Sequence, residues 1–177
     1  MKRALPEMPM ELDLIVFDFD GVFTDNKVHV SASGEETVVC DRRDGLGVRM
    51  LRHIGFRMFI LSLETNPVVA VRAKKLGLEA VTGCPNKLRL LREYSEKNNI
   101  DLSKTVYMGN DLNDLEAMRA VGFSVCPSDA HEDVRNIASC VLGARGGDGA
   151  VRELSEMILS AGCRAIRKEE VNSERTR

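Results

Sequence analysis

The sequence predicts an α/β fold, a doubly wound parallel sheet with helices on both faces. Three observations carry that prediction. Short apolar runs of strand length alternate with helix-patterned stretches along most of the 177 residues. Gly or Asn stands at most of the joins. The first run, 12–17 (LDLIVF), is almost wholly apolar, as a strand covered on both faces must be.

The elements follow in order. After the strand at 12–17, residues 27–30 and 35–39 carry β-branched side chains around Ser31-Ala-Ser-Gly34 and read as a hairpin. Asp44 precedes apolar positions at Leu46, Val48, Leu51 and Ile54, so it reads as the N-cap of a helix that stops at Gly55. Residues 58–61 form the next strand. Asn66-Pro67 opens a helix closed by Gly77. A short strand at 79–82 leads to a helix at 86–98, rich in Leu, Lys, Arg and Glu. A strand at 105–108, a helix ending at Gly122, a strand at 123–126 and a short helix at 131–138 come next. A glycine-rich loop at 143–149 precedes a last amphipathic helix, 149–161.

Composition narrows the function. Hydrophobic residues make up 44% of the chain and charged residues 29%, ordinary values for a globular protein. A formal net charge of −2 gives no reason to expect a nucleic-acid or membrane surface. With 5% aromatic residues and no Trp, base-stacking platforms are not expected either. The five cysteines, Cys40, Cys84, Cys126, Cys140 and Cys163, are odd in number and form no C-x-x-C pair. They read as reduced thiols of a cytoplasmic protein. The opening MKRALPEMPMELD holds no apolar run of signal-peptide or membrane-span length. Residues 1–165 are expected to form one domain and 166–177 a charged, mobile tail.

In a doubly wound fold, ligands bind outside the carboxyl ends of the strands. Asp18-Phe19-Asp20-Gly21-Val22 follows the first expected strand and Ser62 follows the second core strand. Asn86-Lys87 opens a helix, and Gly109-Asn110-Asp111-Leu112-Asn113-Asp114 follows the strand at 105–108. Each residue type has a task in phosphoryl transfer. A carboxylate attacks phosphorus. A second one, two residues on, protonates the leaving oxygen and then activates water. A hydroxyl, an ammonium and a helix N-terminus hold phosphoryl oxygens. Clustered oxygen ligands hold Mg²⁺, which offsets the repulsion between two anions. Any one of these motifs alone reads equally well as a turn or a surface patch. The four in order do not.

FDFDGVFTD, the Ser62 position, Lys87 and GNDLND resemble the four signature motifs of the haloacid-dehalogenase superfamily. The resemblance extends over residues 12–159. It is to the phosphatases of 3-deoxy-octulosonate 8-phosphate and of nonulosonate 9-phosphates, a module also fused to some acylneuraminate cytidylyltransferases. Arg43-Asp44-Gly45-Leu46-Gly47, Val71-Arg72-Ala73-Lys74-Lys75-Leu76 and Gly146-Gly147-Asp148-Gly149-Ala150-Val151-Arg152-Glu153 carry that narrower likeness. It implies Asp18 as nucleophile and metal ligand. Asp20 becomes the general acid and base and gives a carbonyl to the metal, Ser62 and Lys87 bind phosphate, and Mg²⁺ is the cofactor. Arg43, Asp44, Gly45, Arg49 and Arg72 would line the site of a small sugar-phosphate substrate.

Two departures stand out. The family usually has Asp where Asn110 stands, so Asn110, Asp111 or Asp114 remain open as the further metal ligand. Leu63-Glu64 follows Ser62 where octulosonate phosphatases typically carry Gly-Arg. Glu64 therefore joins the substrate residues and tilts the expectation towards a nine-carbon sugar acid. The spacings from Asp18 to Ser62 and from Ser62 to Lys87 leave no room for a cap domain. The resemblance then implies a homotetramer, with hairpins pairing between subunits and the glycine-rich C-terminal region covering a neighbour's site. Two other readings are a catalytically weak assembly module, motivated by Asn110, and a phospho-receiver domain. Receivers place their acidic pair on the first strand and the phosphoacceptor on the third, an order this chain does not follow.

Overall fold

A computed structural model describes residues 7–166. The expected tail at 166–177 lies outside the described residues except for Ile166, whose N–H donates to the Leu12 carbonyl at 2.9 Å. In chain order the elements are β1 (Glu11–Leu12), β2 (Leu14–Phe17), β3 (His29–Val30), β4 (Glu36–Thr37), α1 (Arg42–Ile54), β5 (Met58–Leu61), α2 (Val68–Leu76), β6 (Glu79–Val81) and α3 (Lys87–Asn98). They continue with β7 (Thr105–Met108), α4 (Leu115–Ala120), β8 (Phe123–Cys126), α5 (Glu132–Ile137), β9 (Cys140–Val141), α6 (Ala150–Ser160) and β10 (Arg164–Ala165).

Six strands form one parallel sheet in the order β6-β5-β2-β7-β8-β9. The chain winds outward from β2 to β6, then restarts at β7 on the other side of β2. The switch point therefore lies between the carboxyl ends of β2 and β7, where such folds bind ligands.

Alternation along β2 divides the core. Ile15 and Phe17 point into one cluster with Val48 and Leu51 of α1, Val69 and Ala73 of α2, and Val151, Leu154 and Ile158 of α6. Leu14 and Val16 point into the other, with Leu91 of α3, Ala117 and Met118 of α4, and Val134 of α5. Successive strand side chains face opposite ways, so a strand under two helical layers must be apolar at every position. Each fully buried aliphatic or aromatic side chain contributes about 1.5–3 kcal/mol.

The connections hold no cap domain. Between β2 and β5 lie the β3–β4 hairpin and α1; between β5 and α3 lie α2 and β6. Two short parallel pairings were not expected from sequence: β1 with β10, and the edge strand β9 with β8.

One cap assignment is corrected. Asp41, not Asp44, caps α1, its carboxylate accepting the Arg43 N–H at 2.6 Å. Asp44 lies in the first turn, fully buried, and accepts the Arg152 N–H at 2.9 Å. It thereby caps α6, whose own N-cap, Gly149, has no side chain to do so. The helix after Asn66-Pro67 begins at Val68, with Pro67 and not Asn66 at its N-cap position, although the Asn66 side chain accepts the Val68 N–H at 3.0 Å.

Candidate active site

Asp18, Asp20, Ser62, Glu64, Asn110 and Asp111 all line one open cavity of about 400 Å³ at the switch point. Asp18 leaves β2 directly. Its N–H donates to the Met108 carbonyl of β7 at 2.9 Å, so the sheet ladder itself fixes where this carboxylate stands. Gly21, at φ +72°, turns the chain back under it. A Cβ at Gly21 would lie 1.9 Å from the Asn110 side-chain nitrogen, so only glycine admits this approach of the two motifs.

Lys87, in the first turn of α3, is buried behind the cavity lining and reaches Asp18. Its Nζ lies 2.7 Å from Asp18 Oδ2 and 2.8 Å from Asp114 Oδ1, and all three side chains are almost wholly buried. Burial first, and then the Asp114 charge, push the Asp18 carboxyl up to about 8, against the pull of Lys87. The same two acids hold the Lys87 ammonium above its ordinary range, although burial opposes them. Two carboxylates facing one ammonium leave the cluster short of positive charge.

Ser62 is buried just past β5. Its hydroxyl accepts the Glu64 N–H at 3.1 Å and keeps its own proton to donate. Asp20 is half-buried. Burial raises its carboxyl, while the Thr24 hydroxyl, 3.3 Å away, works in the other direction. Glu64 stands at the rim, with Oε1 accepting the Thr65 N–H at 2.6 Å and the Asn66 N–H at 2.9 Å.

The loop after β7 is built around Asp114, which is fully buried. Its Oδ2 accepts the N–H groups of Asn110 and Asp111 at 2.9 and 3.3 Å, while Oδ1 accepts from Lys87 and from the Tyr107 hydroxyl. Both oxygens are thus committed to protein donors, which removes Asp114 from the possible metal ligands. Sequence reasoning missed this role because a buried hub and a surface turn share the same Gly-Asn-Asp signature.

The donor set fits a small divalent cation. Among the described residues no three His, Cys, Asp or Glu side chains converge as a ready-made metal cluster. Asp18 and Asp111 offer carboxylates beside the amide of Asn110 and the main chain of Asp20 around one cavity. Mg²⁺ is commonly held by one or two carboxylates with waters and a phosphate completing its shell.

Five expected substrate residues lie elsewhere. Gly45, Arg49 and Arg72 line a separate groove of about 670 Å³ with Arg42, Arg52 and Lys75. Arg72 donates to the Asp41 carbonyl at 3.0 Å. Arg43 is exposed, pairs with Asp41 at 2.9 Å, and also bonds Asp148. Asp44 is spent on α6. Within one chain none of the five borders the cavity of Asp18. The glycine-rich loop packs on its own chain, with the Gly147 N–H donating to the Val22 carbonyl at 3.0 Å. A Cβ at Gly147 would lie 2.4 Å from the Thr24 backbone, so this loop braces the Asp20 turn from behind.

A family model for haloacid dehalogenase-like hydrolases matches residues 61–154. The chain belongs to that family. It is similar to 3-deoxy-D-manno-octulosonate 8-phosphate phosphatase KdsC of Haemophilus influenzae, at 34% identity over 151 residues, covering 85% of this chain and 84% of that one. It is 31% identical over 159 residues to N-acylneuraminate cytidylyltransferase A of Danio rerio, covering 86% of this chain and 36% of that protein. The 3-deoxy-D-manno-octulosonate 8-phosphate phosphatase of Moraxella catarrhalis, solved with magnesium, phosphate and KDO, superposes with a TM-score of 0.82. The two are 34% identical over 85% of this chain and 87% of that chain. Asp18 directly follows β2, a central strand of the sheet. No helix among the described residues is long and apolar enough to cross a membrane.

Proposed function

We propose that this haloacid dehalogenase-like hydrolase is a Mg²⁺-dependent phosphatase of a sugar-acid phosphate monoester. The observation that carries the reading is the Lys87 bridge to Asp18 at the switch point, with Asp20 and Ser62 on the same cavity. The similarity to KdsC supports the substrate class.

The chemistry runs in two displacements. Asp18 attacks phosphorus, forming an aspartyl-phosphate, while the bond from phosphorus to the sugar oxygen breaks and that oxygen takes the Asp20 proton. Water then gives a proton to Asp20 and attacks phosphorus, the bond to Asp18 breaks, and inorganic phosphate leaves. Lys87 and the Ser62 hydroxyl hold the phosphoryl oxygens throughout. Asp18, Asn110, Asp111 and the Asp20 carbonyl would hold Mg²⁺, which when bound supplies charge neutralisation between carboxylate and phosphate.

Glu64 supports a nine-carbon substrate over an eight-carbon one. With Oε1 engaged by two N–H groups, Oε2 is left for substrate hydroxyls. The groove of Arg49, Arg72 and Lys75 suits a sugar-acid carboxylate, and if it belongs to the substrate site a second copy must supply it. That is the physical case for a homo-oligomer, with the exposed Val30 of the hairpin and Val71 of α2 as apolar contact points. Asn110 favours the second reading, an assembly module with little turnover.

Screening the purified chain with Mg²⁺ against 3-deoxy-octulosonate 8-phosphate and several nonulosonate 9-phosphates tests this reading. Phosphate release with one of them, fastest with a nonulosonate, is expected. No release from any, by a folded oligomer, favours the assembly module.

A further inference from the structure

Tyr107 lies at the centre of the sheet, one strand away from the nucleophile, with no solvent exposure. It pairs in register with Val16, two residues before Asp18, and its ring belongs to the core cluster of Leu14, Val16 and Leu91. A ring held this way fixes its hydroxyl. That hydroxyl donates to Asp114 Oδ1 at 2.7 Å, the same oxygen that takes Lys87 Nζ at 2.8 Å. The other oxygen of Asp114 is held by the N–H groups of Asn110 and Asp111.

An ammonium has three protons. On Lys87 one points to Asp18 Oδ2 and one to Asp114 Oδ1, which leaves the third for a phosphoryl oxygen. The direction of that third proton depends on where Asp114 Oδ1 stands, and among the described residues the Tyr107 hydroxyl is what holds that oxygen from the side of the sheet. A second donor also disperses the charge of Asp114, so that it competes less strongly with Asp18 and phosphate for Lys87. We propose that Tyr107 is a positioning residue for the reaction, acting through Asp114 on the aim of the Lys87 ammonium. This rests on the reading of Lys87 as a phosphate-binding group.

The test compares Tyr107→Phe, Asp114→Asn and the double variant, with p-nitrophenyl phosphate as substrate. Orthovanadate, which mimics five-coordinate phosphorus, and inorganic phosphate serve as inhibitors. Tyr107→Phe keeps the ring and the volume. It is expected to lower kcat about tenfold, the loss of one hydrogen bond to a charged group, with KM changed less than about threefold. The vanadate inhibition constant should rise by a similar factor and the phosphate constant by less than about twofold. On the Asp114→Asn background Tyr107→Phe should add less than about twofold, because the two act as one unit.

Full kcat in a folded Tyr107→Phe protein overturns the proposal, as do equal losses in vanadate and phosphate affinity or multiplying effects in the double variant. If Tyr107→Phe fails to fold by circular dichroism, Asp114→Asn decides alone: unchanged vanadate affinity overturns the proposal, and a selective loss supports it. Lys87→Met separates the layers. An inactive Lys87→Met protein beside a fully active Tyr107→Phe protein sinks only the role of Tyr107. A fully active Lys87→Met protein sinks the phosphate-binding reading beneath it.

Discussion

The Lys87 ammonium bridges Asp18 and Asp114 at 2.7 and 2.8 Å, so one buried cation serves two buried carboxyl groups. Asp18→Asn removes one of those groups and the attacking oxygen with it. Turnover should fall below a few per cent, since uncatalysed phosphate-monoester hydrolysis is slow enough to need up to ~10²¹-fold acceleration. Stability should hold or rise, because a carboxyl pushed up to about 8 by burial is costly to ionise. Phosphate release and thermal melting at neutral pH check both. Substantial remaining activity would place the nucleophile elsewhere.

Chelation with EDTA should stop turnover and Mg²⁺ should restore it, while Ca²⁺ should not, since calcium takes more ligands at longer distances. Asn110 gives the site one negative charge fewer than a carboxylate would. Asn110→Asp should therefore lower the Mg²⁺ concentration for half-maximal activity, modestly, because Asp18 and Asp111 already crowd the cavity. Asn110→Ala should raise it. Three superimposable Mg²⁺ titrations would put Asn110 outside the metal's ligands.

Asp44 should make stability depend on pH. Burial lifts its carboxyl to about 6 from the usual 3.8, with the backbone bond from Arg152 opposing. The folded protein thus keeps this proton where the unfolded chain has lost it. The stabilisation is complete below pH 3.8 and is lost as pH rises through about 6. Asp44→Asn retains an acceptor for the Arg152 N–H without the charge. It should raise Tm at pH 8, by the equivalent of no more than about 3 kcal/mol, and leave it unchanged near pH 4. Equal shifts at both pH values in melting curves would contradict the assignment.

Gly21→Ala tests the contact between the two acidic motifs. The backbone sits at φ +72° and a Cβ would strike the Asn110 amide. A left-handed alanine costs roughly 1–2 kcal/mol, and the displaced amide should cost activity beyond that. A lower Tm with at least tenfold lower kcat/KM is expected, and wild-type kinetics would show that Asn110 can move without consequence.

Much of this was legible in the sequence because the signals are local. The apolar run through Phe17 announces a strand covered on both faces, Gly55 and Gly77 end helices where expected, and Asp18, Asp20, Ser62 and Asn110 meet because each follows a strand in one parallel sheet. What was not legible depends on distance along the chain. Asp44 reads as a cap of its own helix, and only the packing of α1 on α6 gives it a partner 108 residues away. Two-residue strands such as β9 and β10 are too short to show a period. The Arg49 and Arg72 groove is read from family likeness as part of the site, yet the fold of one chain sets it apart.

The central claim is covalent chemistry at Asp18, and trapping the intermediate tests it most directly. Enzyme turning over substrate with Mg²⁺ would be quenched in acid, reduced with borohydride, digested and analysed by mass spectrometry. An acyl phosphate reduces to an alcohol, so the account predicts homoserine in place of aspartate at position 18, dependent on substrate and absent from Asp18→Asn. Reduction at another carboxylate, or none during full turnover, would contradict it.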